Sequence, residues 1–255
     1  MIAAVVCALA GLVVGAFLNV LIERIPIKVP AERLPLHLPP SCAWCGESRG
    51  GAAWIPIVGA LKSCPACHER PQRRELLVEV VTAALFVTMS IRFDDPVVTI
   101  AYLYFCAFIV AVSAIDLEHY RIPDRLVFPS LAIAVPGIVL VSLQQDVPEA
   151  IPRALLGAAT VFGVLLIFHL ISPRGMGFGD VKLGLMLGLF TGWLAGNLVQ
   201  APYLAVISMF FGGLVGVVMG FVVALSRGRK AAFPFGPALC AGAYLVVLLS
   251  NQIIS

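Results

Sequence analysis

The sequence predicts an all-α fold, a polytopic membrane bundle of about eight transmembrane helices with a small cytoplasmic zinc-knuckle loop. Three observations predict it. The 255-residue chain is 60% hydrophobic and only 12% charged, with a mean hydropathy of +1.01, whereas ordinary globular domains carry roughly 25% charge. Apolar stretches long enough to span, about 20 residues each, lie near 1–22, 76–93, 97–115, 126–143, 153–171, 181–199, 203–225 and 233–250. The basic residues also segregate. With 23–75 placed inside, fifteen of the seventeen Lys and Arg fall on the cytoplasmic side, and only Arg92 and Arg153 fall outside, the positive-inside pattern. The net charge of +3 therefore reflects orientation in the lipid bilayer, and nucleic acid is not an expected partner. A water-soluble domain is excluded, because the polar surface would be too small.

Residues 1–22 read as a retained first span. They lack a basic leading segment, and Glu23-Arg24 stand where a small-residue cleavage site would be expected. Residues 23–75 are polar and proline-rich and hold four of the seven cysteines. Cys42-Ala-Trp-Cys45 and Cys64-Pro-Ala-Cys67 are two short knuckles, 18 residues apart. That spacing reads as a four-thiolate zinc site, in which Cys42, Cys45, Cys64 and Cys67 converge on one tetrahedral ion. A pair of disulfides is the rival, and it loses in a reducing cytoplasm. Metal would also supply folding free energy that the short apolar run Trp54-Ile55-Pro56-Ile57-Val58 cannot. His68 is a substitute ligand in reserve. Cys7, Cys106 and Cys240 read as small buried hydrophobes, His37 as a solvated loop residue, and His169 as a polar residue facing the bundle interior.

The remaining spans, within 76–255, present two acids at their ends. Asp116 closes the third span in Ser113-Ala-Ile-Asp116, and Asp180 follows the glycine run Gly175-Met-Gly177-Phe-Gly179. An ionisable group at membrane depth is expensive and marks a functional site. Asp124, after Pro123, reads equally well as a helix-start residue. The glycines leave room for another backbone to approach. A nucleotide loop fails on context, since no strand precedes the run. Lys182 has two readings, a partner that keeps Asp180 ionised or a side chain that snorkels to the interface. Two carboxyl groups brought together share one proton, so that one serves as general base on a water and the other as general acid. That is aspartic-protease chemistry, and it leaves the closed cysteine site a structural role.

Asp116-x6-Pro123-Asp124, Gly175-Met-Gly177-Phe-Gly179-Asp180-Val-Lys182-Leu and Pro234-Phe-Gly-Pro237 together resemble the type IV prepilin peptidases, membrane aspartic proteases of the GxGD type. Gly15-Ala-Phe-Leu-Asn-Val-Leu-Ile-Glu-Arg-Ile-Pro26 and Glu75-Leu-Leu-Val-Glu-Val-Val-Thr-Ala83 resemble their opening segment and second span. The resemblance implies Asp116 and Asp180 as the catalytic pair, with Asp124, Gly177, Gly179 and Lys182 as supporting motif. It implies residues 76–255 as the peptidase core, in the bacterial inner membrane. The implied partners are prepilin and pseudopilin precursor helices, cut on the cytoplasmic side after a glycine. In bifunctional members, the cysteine loop also supports N-methylation with S-adenosylmethionine. The sequence departs from that pattern at Trp54, at Leu61-Lys62-Ser63 and in the short gap between knuckles, so peptidase alone and peptidase with methyltransferase both stand as readings. Two other classes compete. A proton-coupled transporter would use the same acids but should show internal repeats. A purely structural zinc module explains the cysteines but not the aspartates.

Overall fold

Among the described residues, eight long helices form where the apolar stretches lie. The structure, a computed structural model, describes residues 2–26, 37–173, 175–227 and 234–254, the side chains of 226, 227, 251 and 254 excepted. Lys28, Arg33, Arg174, Arg229, Lys230 and Phe233 lie outside the described residues. The long helices are α1 (Ile2–Arg24), α3 (Arg73–Arg92), α4 (Pro96–His119), α5 (Asp124–Gln144), α6 (Ala150–Ile171), α7 (Phe178–Trp193), α8 (Gln200–Arg227) and α9 (Gly236–Ile254). A 3-10 turn, Gly51–Trp54, and the single-turn α2, Val58–Leu61, lie in the cysteine loop. Among the described residues there is no strand, only an isolated bridge between Ser41 and Ser48. The helices α1, α4, α5, α6 and α8 are long and apolar enough to cross a membrane, so this is a multi-pass membrane protein. In α3 the charges Arg73, Arg74, Glu75 and Glu79 interrupt the apolar run. In α7 the limit is length: sixteen residues rise about 24 Å, less than a hydrocarbon core of about 30 Å.

Two compact units divide the chain, Met1–Ala114 and Ile115–Ser255. In the first, α1 packs on α3 through glycine. A Cβ on Gly11 would lie 2.5 Å from the Ala83 Cα, and one on Gly15 2.6 Å from the Glu79 Cα. The backbones therefore touch, as in small-residue membrane helix pairs. The Asn19 amide donates to the Glu75 carbonyl at 3.0 Å. Two buried acids of α3 hold the cysteine loop: Glu75 pairs with the Arg49 guanidinium at 2.5 Å, and Glu79 accepts the Ile57 N–H at 2.5 Å. Ile57 has a left-handed φ of 64°, an unusual conformation for a β-branched residue.

In the second unit α7 is the axis, packed by α5, α6, α8 and α9. Past its charged first turn it is almost wholly apolar, and nearly every residue from Val181 to Trp193 is buried, as expected of a helix enclosed by its neighbours. The buried Arg153 donates to the Ala195 carbonyl at 2.6 Å, just past the far end of α7. The Trp193 indole donates to Ser142 Oγ at 3.0 Å. Closest approach is again through glycine. A Cβ on Gly157 would meet the Gly188 carbonyl at 2.3 Å, and one on Gly242 the Gly212 nitrogen at 2.2 Å. Overpacking usually costs about 1–3 kcal/mol, and here the obstacle is backbone, which cannot swing aside. Gly188→Leu is therefore expected to lower the unfolding temperature of the detergent-solubilised protein clearly, while Gly163→Leu, at a position with open space, should change it little.

Candidate active site and metal centre

The end of α4 sets up the first acid. Past Asp116 the helix continues to His119, beyond the expected limit at 115, and stops when Tyr120 turns left-handed (φ 53°) and donates its N–H to the Asp116 carbonyl at 2.9 Å. The reversal buries Ile122 before Pro123 opens α5. Asp116 is only 5% exposed. Its Oδ2 accepts the N–H of Gly236, the first residue of α9, at 3.0 Å. The first amides of a helix are unpaired donors at the positive end of its dipole. A Cβ on Gly236 would stand 2.8 Å from that oxygen, so a side chain there would push the carboxylate aside.

The second acid belongs to another helix start. Asp180 lies in the first turn of α7, and its N–H donates to the Gly177 carbonyl at 3.1 Å. Its Oδ2 is 3.4 Å from the point a Cβ on Gly177 would occupy. Gly177 has an ordinary extended backbone (φ −69°) and is exposed, so its glycine character provides space, not unusual geometry. Gly179 is tight: its Cβ position is 3.0 Å from Ile122 Cβ, while Ile122 Cδ1 is 3.3 Å from the Cβ position of Gly236. Ile122 thus bridges the glycines beside the two acids, and the Asp116 and Asp180 carboxyl groups lie within electrostatic reach of each other.

The other supporting residues sit elsewhere in the arrangement. Lys182 forms an ion pair with Asp124, not with Asp180, and its ammonium lies 5.2 Å from the Phe178 ring centroid and 5.8 Å from that of Phe128. Neither expectation for Lys182 described that pair. Asp124 is largely exposed and stands in the first turn of α5, as its reading as a helix-start residue expects. His169 Nδ1 donates to the Met176 carbonyl at 2.8 Å, and its ring is 5.4 Å from Phe178, so it fastens the glycine run rather than facing the bundle interior. Gly236, Ile122 and His169 were not singled out as site residues. Gly236 was visible only as the glycine of Pro234-Phe-Gly-Pro237, and Ile122 carried no signal at all.

The four loop cysteines converge. Their sulfurs lie within 4.8 Å of one another, with Cys42–Cys67 at 3.6 Å and Cys45–Cys64 at 3.7 Å. A disulfide is about 2.05 Å, whereas sulfurs tetrahedral about zinc at 2.3 Å stand about 3.8 Å apart, so the set fits an ion. The two knuckles repeat one pattern. Cys42 N–H donates to the Glu47 carbonyl and Gly46 N–H to Cys42; Cys64 N–H donates to Glu69 and His68 N–H to Cys64. Gly46 and His68 are both left-handed (φ 75° and 61°). His68 is therefore the turn residue of its knuckle, not a reserve ligand. Backbone N–H groups of Cys45 and Trp44 lower the Cys42 thiol to about 7, and those of Cys67 and Ala66 lower that of Cys64, while burial and the neighbouring sulfurs push Cys45 and Cys67 up. Two of the four thus favour the thiolate before a metal arrives. Of the other cysteines, Cys106 and Cys240 are buried, and Cys7 is only half-buried.

A multi-pass helical protein with two aspartates on separate helices of one unit, and a four-cysteine cluster able to hold a metal in the other, has the parts of a membrane aspartic peptidase with a metal site. The type IV leader peptidase family matches residues 103–217, and the bacterial peptidase A24 N-terminal domain matches residues 9–93. The chain is 30% identical to a Dichelobacter nodosus protein named prepilin leader peptidase/N-methyltransferase, over 96% of this chain and 91% of that one. It is 31% identical to a Pseudomonas putida protein of the same name (95% and 89%), and 29% identical to one from Bacillus subtilis (88% of each). No solved structure matches the chain. The chain belongs to the type IV leader peptidase family.

Proposed function

We propose that this protein is an aspartic endopeptidase that removes the leaders of type IV prepilins and pseudopilins, cutting after a glycine at the cytoplasmic face of the bacterial inner membrane. Asp116 and Asp180 are its catalytic pair, in a core formed by 76–255, with zinc in the loop of 23–75. The observation that supports the reading is that Ile122 packs between Gly236, whose N–H holds Asp116, and Gly179, next to Asp180, with the two carboxyl groups within electrostatic reach. The relatives' names support the substrate class, and the fifteen-to-two division of basic residues supports the cytoplasmic face.

In this reading the ionised carboxylate takes a proton from water as the oxygen attacks the scissile carbonyl. The protonated partner gives its proton to the leaving amine as the C–N bond breaks. Gly236 N–H orients Asp116, and the open face at Gly177 admits the substrate backbone. The Lys182–Asp124 pair and the His169–Met176 hydrogen bond hold the start of α7 and the glycine run. Incubating the purified protein with a synthetic precursor and sequencing the fragments by mass spectrometry tests this. One cut after the leader glycine is expected, and an intact precursor in an otherwise folded preparation overturns the assignment.

The relatives' names favour a second activity, methyl transfer to the new amino terminus from S-adenosylmethionine. Two cavities border the loop among the described residues. One, lined by Cys42, Trp44, Arg49 and Glu75 among others, has only about 10 Å³. The other has about 800 Å³ and is lined by Arg70 and Arg73 and no carboxylate, a charge pattern that suits the carboxylate of that donor but not its sulfonium. The mass of the mature amino terminus decides between a free and a methylated amine.

A further inference from the structure

The larger cavity has a chemistry of its own. It lies where α2 faces the first turns of α3, and its walls include Leu61, Arg70, Arg73, Leu76 and Leu77. Leu61 and Leu77 are 59% and 62% exposed, and Arg70 and Arg73 are exposed too. Neither arginine has an ion-pair partner among the described residues. Below Leu77 the exposed apolar residues continue along α3 as Val80 and Val81. On the loop side, Ile55 and Val58 are exposed next to Leu61. The cavity therefore opens where an exposed apolar stripe gives way to positive charge with no ion-pair partner among the described residues.

We infer that this cavity binds an anionic phospholipid of the surrounding membrane, its phosphate between Arg70 and Arg73 and its acyl chains along Leu61, Leu76 and Leu77. The occupant is a lipid rather than a free phosphate, because the apolar wall continues directly into the stripe of α3. Two guanidinium groups select negative headgroups, and a basic residue near an anionic surface is worth about fivefold in binding. The exposed rim of Ile55, Val58 and Leu61 then sits in the interface, so the cysteine loop lies on the bilayer. The inference does not depend on the peptidase reading.

Native mass spectrometry of the full-length protein, in detergent with phosphatidylglycerol or phosphatidylcholine added, tests it. Wild type is expected to retain phosphatidylglycerol in preference. Arg70→Gln/Arg73→Gln is expected to weaken that retention about 25-fold while bound zinc, measured on the same samples, is unchanged. Leu61→Gln/Leu77→Gln should weaken both lipids. Equal retention of the two lipids by wild type overturns the inference, and so does undiminished phosphatidylglycerol retention by the arginine variant. Displacement of the lipid by glycerol phosphate or by S-adenosylmethionine at equal concentration would overturn it as well, since either would reassign the cavity.

Discussion

Asp116→Asn and Asp180→Asn are each expected to lower leader cleavage by about 10²- to 10⁴-fold, the usual contribution of a positioned general acid or base. Asparagine keeps the shape of the side chain and an oxygen able to accept the Gly236 N–H that Asp116 holds at 3.0 Å, so the variants should accumulate in membranes like wild type. The loss then reports chemistry and not folding. Because the two groups act as one unit, the double variant should be little worse than either single one. Gly236→Ala supplies a graded control, since its methyl would come within 2.8 Å of the Asp116 oxygen and displace the carboxylate without removing it. Asp124→Asn should cost far less, because that largely exposed carboxylate touches Lys182 and not the pair. Wild-type rates in both Asp116→Asn and Asp180→Asn would end the assignment.

The second large effect is expected at the cysteines. Cys42→Ser or Cys64→Ser should reduce bound zinc from about one ion per chain to near none, measured by elemental analysis of the purified protein. Structural zinc contributes about 10–16 kcal/mol of apparent binding free energy in small zinc modules at neutral pH, and the loop has little else to hold it. Its other anchors are the Arg49–Glu75 pair and the bond from Ile57 N–H to Glu79. Limited proteolysis is therefore expected to open the chain between 42 and 67 in the variants and after strong chelation. Cys240→Ser, at a buried position outside the loop, should leave zinc and cleavage pattern alone. Full zinc occupancy in Cys42→Ser and Cys64→Ser would show that the sulfurs hold no metal.

Much of this architecture was legible in the sequence, because a bilayer imposes one length scale on every apolar run. The helices lie on the expected stretches, and the two knuckles declare their spacing. What stayed hidden follows other rules. At the end of α4, Leu117-Glu118-His119 are helical but not all apolar, so hydropathy could not see the helix continue past Asp116. At the end of α7, Leu194-Ala195 and Leu198-Val199 kept the run apolar to 199, although the helix ends at Trp193, just before the turn at Gly196-Asn197. The Lys182–Asp124 pair joins residues 58 apart, which no periodicity predicts. Gly236 acts through a backbone N–H, and a backbone donor has no side-chain signature. His68 could have been placed by aligning the knuckles, since it stands where the first has Gly46.

The glycine contacts carry a consequence for how the protein is made. Gly157 with Gly188, and Gly212 with Gly242, each join neighbours along the chain. Each hairpin can therefore close as soon as its second half has left the ribosome and reached the lipid, without waiting for later segments. A bulky residue at any of these four positions would strike during synthesis, leaving a half-assembled hairpin exposed to membrane quality control before the enzyme is complete.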